Sequence, residues 1–94
     1  MPRALIKVDV RDRAKFQKVL EAQHERRREH GERSFSYSVD DDRRHIGYVT
    51  LEWDDFRSLR RFLESPALRE LMQEWPVVEV FEVLALRGLN EFDA

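Results

Sequence analysis

The chain is expected to form a small α+β domain, with four strands and two helices in the order β-α-β-β-α-β. The strands make one antiparallel sheet and both helices lie on one of its faces. Three observations carry this expectation. "ALIKVDV" (residues 4–10) and "RHIGYVTLEW" (residues 44–53) alternate with the period of two that marks a half-buried strand. Apolar residues recur at helical spacing at Phe16, Val19 and Leu20, and again at Phe56, Leu59, Phe62 and Leu63. "VVEVFEVLAL" (residues 77–86) is a long β-branched run that closes the pattern.

In the first strand, Ala4, Ile6, Val8 and Val10 share one face, and Leu5, Lys7 and Asp9 the other. Asp12 can cap the helix that follows. The stripe of that helix fades at Gln23, and "HERRREH" is polar all round, so its last two turns are expected to overhang the sheet. Glu25 and Glu29 are the expected partners of the neighbouring arginines. Gly31 suits the C-terminal stop, and the basic residues before it suit the negative end of the helix dipole. "SFSYSVD" (residues 34–40) then sets Phe35, Tyr37 and Val39 against Ser34, Ser36 and Ser38.

The polar "DDDRR" turns the chain into the next strand, making a hairpin. An odd loop such as residues 41–43 pairs Tyr37 with Gly47. It gathers the large apolar groups with Gly47, Val49, Leu51 and Trp53 on the helix face. Ser34, Ser36, Ser38, Ile46, Tyr48, Thr50 and Glu52 are left on the other face. Asp54 or Asp55 caps the second helix, "ESP" interrupts it, and Ser65 with Pro66 restarts it along Leu68, Leu71, Met72 and Trp75. Pro76 ends it. Two right-handed crossovers around a hairpin give the ferredoxin-like arrangement, whose second sheet face is bare in a monomer.

The 94 residues suffice for one domain, with an ordered core over about residues 4–86 and a short polar tail, "NEFDA". A charged fraction of 38% is high, but ten aromatic residues with three Gly and three Pro do not describe a disordered chain. Seventeen basic against nineteen acidic residues give a net charge of −2, which supplies no general field for a polyanion. The absence of cysteine excludes disulfides, thiolate chemistry and Cys-based zinc sites. "MPRALIKVDV" lacks the apolar core of a signal peptide, and no run approaches a membrane span, so a cytoplasmic protein is expected.

What covers the bare face decides the function. Leu5, Lys7, Asp9, Tyr48, Thr50 and Glu52 mix apolar area with a few polar anchors, as a walled cavity does. The last strand offers either Val77, Glu79, Phe81 and Val83 or Val78, Val80, Glu82 and Leu84. Being apolar on both faces, it argues that something packs there.

The element order, "LEWDDFRSLRRFLESPAL" and the apolar last strand together resemble the dimeric α+β barrel superfamily. That group includes antibiotic-biosynthesis-type monooxygenases, and the resemblance spans residues 4–86. It implies a homodimer joined through the open sheet faces, a small-molecule pocket between sheet and helices, and no cofactor. It does not fix an activity, because the superfamily hosts oxygenases, isomerases, haem-degrading enzymes and simple binders. His24, His30 and Trp53 do not align with the haem-degrading constellation. No catalytic residue is assigned. The candidate pocket residues are Lys7, Tyr48, Thr50 and Glu52. Lys7 is either an anchor for an anionic or enolic ligand or a member of a structural ion pair. Tyr48 can hydrogen-bond or protonate a substrate oxygen, and Glu52 can act as base or as partner of Lys7. Trp53 and Trp75 are assigned to packing.

Other chemistries fit poorly. A zincin helix needs His-Glu-x-x-His, but the fourth residue after His24 is Arg28, and three arginines separate His24 from His30, so no metal is expected. "DDDRR" lacks the spacing of a calcium loop. "RHIGYVTL" matches an RNA-recognition strand at Arg44, Gly47, Tyr48 and Val49, but His45, Ile46 and Leu51 depart from it. One stacking ring on an acidic protein makes nucleic acid an unfavoured partner. A non-catalytic ligand binder or a structural dimer stands as the alternative to an enzyme acting on an enolisable compound.

Overall fold

The alternation of "RALIKVDV" sends Ala4, Ile6, Val8 and Val10 to one side of strand β1 (Arg3–Val10). All four are buried in the structure, a computed structural model that describes residues 1–87. Helix α1 (Arg13–Arg28) starts where Asp12 leaves the extended conformation and its carboxylate accepts from Lys15 N at 3.0 Å. It is followed by β2 (Glu32–Val39), β3 (Ile46–Trp53), α2 (Phe56–Glu64), α3 (Pro66–Gln73) and β4 (Val77–Leu86). Asp55 caps α2, accepting from Ser58 N at 2.8 Å. Ser65 is extended, so it breaks the helical path and caps α3, with Pro66 at the first position.

The sheet order is β2-β3-β1-β4, with every neighbouring pair antiparallel. This is the ferredoxin-like α+β fold, with the second helix of the sequence pattern divided into α2 and α3. Its core lies between sheet and helices. Phe16, Leu20, Leu59, Phe62, Leu68, Leu71 and Trp75 pack onto Ala4, Ile6, Val8, Val10, Val49, Leu51 and Trp53. Trp53 stacks on Phe62 at 4.9 Å between ring centroids, and Phe16 meets Tyr37 and Trp75 edge-on at 5.1 Å each. Gly31, at φ 112°, turns the chain from α1 into β2. A Cβ there would stand 2.7 Å from Trp53 Nε1, which donates to the His30 carbonyl at 2.9 Å.

Three expectations need correction. The end of α1 does not overhang: Gln23 and Arg27 are buried, because they continue the inward stripe of Phe16 and Leu20. Glu25 pairs with Arg28 at 3.5 Å, whereas Arg26 reaches across to Glu74 at 2.9 Å. The hairpin has the expected parity but a register two residues away, with Tyr37 opposite Val49 and Val39 opposite Gly47. Tyr37 still covers Gly47, where a Cβ would stand 2.7 Å from its ring. Finally, β4 presents neither expected set whole. Bulges opposite Lys7/Val8 and Asp9/Val10 bring Val77, Val80 and Val83 to the helix face and Glu79, Glu82 and Leu84 to the other. The polar tail lies outside the described residues.

Candidate functional site

The face of the sheet turned away from the helices can be laid out in rows. Running from β2 across β3 and β1 to β4, the first row is Ser34, Glu52, Arg3 and Leu86. The second is Ser36, Thr50, Leu5 and Leu84, and the third Ser38, Tyr48, Lys7 and Glu82. Phe81, the extra residue of the bulge, turns its ring under Lys7, with Nζ 5.7 Å from the centroid. Hydroxyls therefore dominate the β2 and β3 side of the face, whereas β1 and β4 interleave the apolar Leu5, Phe81, Leu84 and Leu86 with the charged Arg3, Lys7 and Glu82. Phe81, Leu84 and Leu86 are exposed there, each about 40% accessible.

The four candidate residues fall together on this face. Tyr48, Thr50 and Glu52 line β3 at successive outward positions, and Lys7 lies beside Tyr48 on β1. All four are half-buried. Glu52 accepts from Ser34 Oγ at 3.3 Å. At the hairpin end, Asp40 accepts from the backbone N–H groups of Arg43 and Asp42, which hold its carboxyl below the ordinary range, and the charge of Lys7 adds to this. Because the four side chains point away from the helices, any cavity they line lies outside the sheet. The space between sheet and helices is taken up by core side chains. This corrects the expected position of the pocket.

The helix side holds a group that the sequence pattern did not reveal. Arg27 and Glu32 are both fully buried, and Arg27 Nε donates to Glu32 Oε2. Arg27 Nη2 donates to the Leu20 carbonyl at 2.9 Å, and its guanidinium lies 4.7 Å from the centre of the Phe35 ring. The other oxygen of Glu32 is 2.6 Å from His24 Nδ1. Removing either partner of such a pair strands a buried charge and costs about 3–5 kcal/mol. Next to it, Gln23 accepts from Trp75 Nε1 at 2.8 Å and donates to the Leu71 carbonyl at 3.0 Å, tying α1 to α3. The available signal was the stripe itself, since positions 16, 20, 23 and 27 follow one helix face.

Several hollows indent the helix side, two of them bordered by residues of β2. One, of about 650 Å³, lies between the start of α1 and β2, lined by Arg11, Arg13, Gln17, Tyr37 and Val39. The other, of about 520 Å³, is lined by His24, Arg28, Gly31, Glu32, Arg33 and Asp54. Among the described residues no group of three or more His, Asp or Glu side chains is placed to hold a metal ion. No described helix is long and apolar enough to cross a membrane.

No protein-family model matches the chain, and no curated protein matches it. Solved structures do. An antibiotic-biosynthesis-monooxygenase-like protein of Deinococcus radiodurans superposes with a TM-score of 0.71 at 14% identity, over 100% of this chain and 98% of its own. One from Bordetella bronchiseptica gives 0.73 at 13% identity, over 95% and 97%. Rv0793 from Mycobacterium tuberculosis gives 0.66 at 20% identity, over 99% and 100%. At these identities the likeness establishes architecture. Over nearly its whole length, the chain has the ferredoxin-like α+β fold of the antibiotic-biosynthesis-monooxygenase-like proteins.

Proposed function

We propose that two copies of the chain close their open sheet faces into an α+β barrel that encloses a small enolisable compound. The chain then carries out cofactor-independent oxygenation of that compound, with dioxygen as the oxidant, or its isomerisation. The observation that carries this reading is the mixed composition of the open face. Phe81, Leu84 and Leu86 need cover from water, whereas Lys7, Tyr48, Thr50 and Glu52 supply the few convergent polar groups of a ligand site. The names of the Deinococcus and Bordetella neighbours support the monooxygenase class.

In the barrel each residue has a role set by its chemistry. Glu52 accepts the proton of the acidic C–H, and its bond from Ser34 orients it. The Lys7 ammonium and the Tyr48 hydroxyl, side by side across β1 and β3, hold the oxygen on which enolate charge develops. Thr50 donates to a second ligand oxygen. The apolar side chains of Leu5, Phe81, Leu84 and Leu86 exclude water, which strengthens these interactions.

Native mass spectrometry of freshly purified protein tests the reading by reporting subunit number and retained ligand together. The expected result is a homodimer carrying a small molecule that Lys7→Ala loses while staying dimeric. A monomer at micromolar concentration overturns the barrel. A dimer of the wild-type protein with nothing bound favours the structural dimer. A monomer that binds RNA, with affinity falling steeply in salt, favours nucleic-acid recognition through Tyr48.

A further inference from the structure

The buried Arg27–Glu32 pair lies on the helix side of the sheet, away from the open face, and ends in a histidine. Glu32 uses one oxygen for Arg27 Nε and the other for His24 Nδ1, at 2.6 Å. A carboxylate oxygen only accepts, so the hydrogen sits on Nδ1, and whenever the ring is neutral its lone pair is on Nε2. Nε2 has no hydrogen-bond partner among the described residues. The His24 side chain is 28% exposed while that of Glu32 is fully buried, so the ring is held through Nδ1 and remains partly open to solvent. Phe35 supports it from the side, at 5.0 Å between ring centroids.

His24 borders a hollow on the surface of the helix side. His24 and Glu32 line the 520 Å³ cavity together with Arg28, Arg33, Gly31 and Asp54. Among the described residues, Arg28 is held by Glu25 alone at 3.5 Å and Arg33 by Asp54 alone at 3.3 Å. Both pairs are exposed and long, a class of ion pair that contributes little and exchanges readily for a better acceptor. A guanidinium that leaves such a partner presents a planar fork suited to an oxyanion.

We propose that this hollow is a second ligand site, for a small anion that carries an acidic hydroxyl, in which Arg28 and Arg33 hold the charge and His24 Nε2 accepts the proton. Glu32 is its positioning residue, and Arg27 keeps the Glu32 carboxylate in place from behind. The hydroxyl first donates to Nε2. Full transfer moves one proton to Nε2, leaves the bonding electron pair on the ligand oxygen, and places an imidazolium against Glu32. The proton returns when the ligand leaves, so no oxidant or reductant is needed.

Side-chain NMR of the intact protein, labelled in its histidine rings, tests the proposal with inorganic phosphate as probe. Phosphate combines negative charge with a P–OH proton, and sulfate serves as the comparison that lacks one. The pH is set where the ring shifts of His24 report the neutral form. The expected result is the Nδ1–H tautomer at His24 and saturable phosphate binding with a Kd of roughly millimolar order. Loss of the hydrogen bond to Nε2 weakens sulfate about fivefold. The exposed double variant Arg28→Ala/Arg33→Ala weakens phosphate about tenfold while His45, in the hairpin loop, does not respond. An Nε2–H tautomer, equal binding of sulfate and phosphate, a shift that never saturates, or indifference to the double variant each overturns it.

Discussion

Tyr37 Oη is buried without a hydrogen-bond partner among the described residues, although its ring is well placed over Gly47 and edge-on to Phe16. Burial pushes the phenol above its ordinary range, with the charge of Arg13 opposing the shift. The neutral hydroxyl is thus favoured in the fold, and this contribution is lost as pH rises through the folded value. An unpaired buried hydroxyl carries a desolvation penalty with no bond to offset it. Tyr37→Phe removes the hydroxyl and keeps the ring. It is expected to leave stability unchanged or raise it by about 1 kcal/mol, as read from urea denaturation. A loss of more than about 1 kcal/mol would show that the hydroxyl has a partner in solution. The large inward residues were legible residue by residue, because an apolar side chain at the right period has one place to go. Arg27 was not. Its charge marks it as solvated in any hydropathy pattern, and its burial is made tolerable by the matching carboxylate of Glu32, brought round by the Gly31 turn, and by the Leu20 carbonyl.

Helix ends were legible for a related reason, since a cap is a local bond between residues two or three apart. Asp12, Asp55 and Ser65 all cap as their positions imply. Strand register is a different matter. A shift of two residues leaves every side chain on its original face, so the segregation of apolar groups could fix the parity of the hairpin but not bring Tyr37 opposite Val49. In β4 even parity was hidden, because a run apolar at nearly every position carries no alternation and the two bulges change it along the strand. The caps also give α2 a defined response to pH. Asp55 accepts from both the backbone N–H and the hydroxyl of Ser58, which lowers its carboxyl pKa. A lowered folded value means that the contribution is present above the ordinary carboxylate range and lost as pH falls through the folded value. Asparagine caps about as well and does not titrate. Asp55→Asn should therefore lose less thermal stability than the wild-type chain between about pH 5 and pH 2, measured by circular dichroism melts. Parallel curves would show that the cap does not contribute to acid unfolding.

At the level of the whole molecule, the dimensions of 35 × 32 × 20 Å match one layer of helices on one sheet. A two-layer fold has a single core, so the second face of the sheet either meets water or meets another molecule. Here the exposed apolar residues of that face cluster on β4, so that a copy related by a two-fold axis can set Phe81, Leu84 and Leu86 against their mates and leave Tyr48, Thr50 and Glu52 facing the enclosed interior. Leu84 tests this arrangement directly. It lies on β4, paired with Leu5 on β1, and is 40% exposed in the single chain. Leu84→Glu costs little in an isolated subunit, since the carboxylate stays in water. In the closed barrel the same carboxylate is forced against its symmetry mate in an apolar seam, where an unpaired charge costs several kcal/mol. The expected outcome is a folded monomer of 11.4 kDa by light scattering, with the circular dichroism spectrum of the wild type, from a parent that runs as a dimer. If Leu84→Glu instead stays dimeric, the copies meet through another surface. Lys7, Tyr48, Thr50 and Glu52 would then face solvent, and the enclosed site would be lost with the seam.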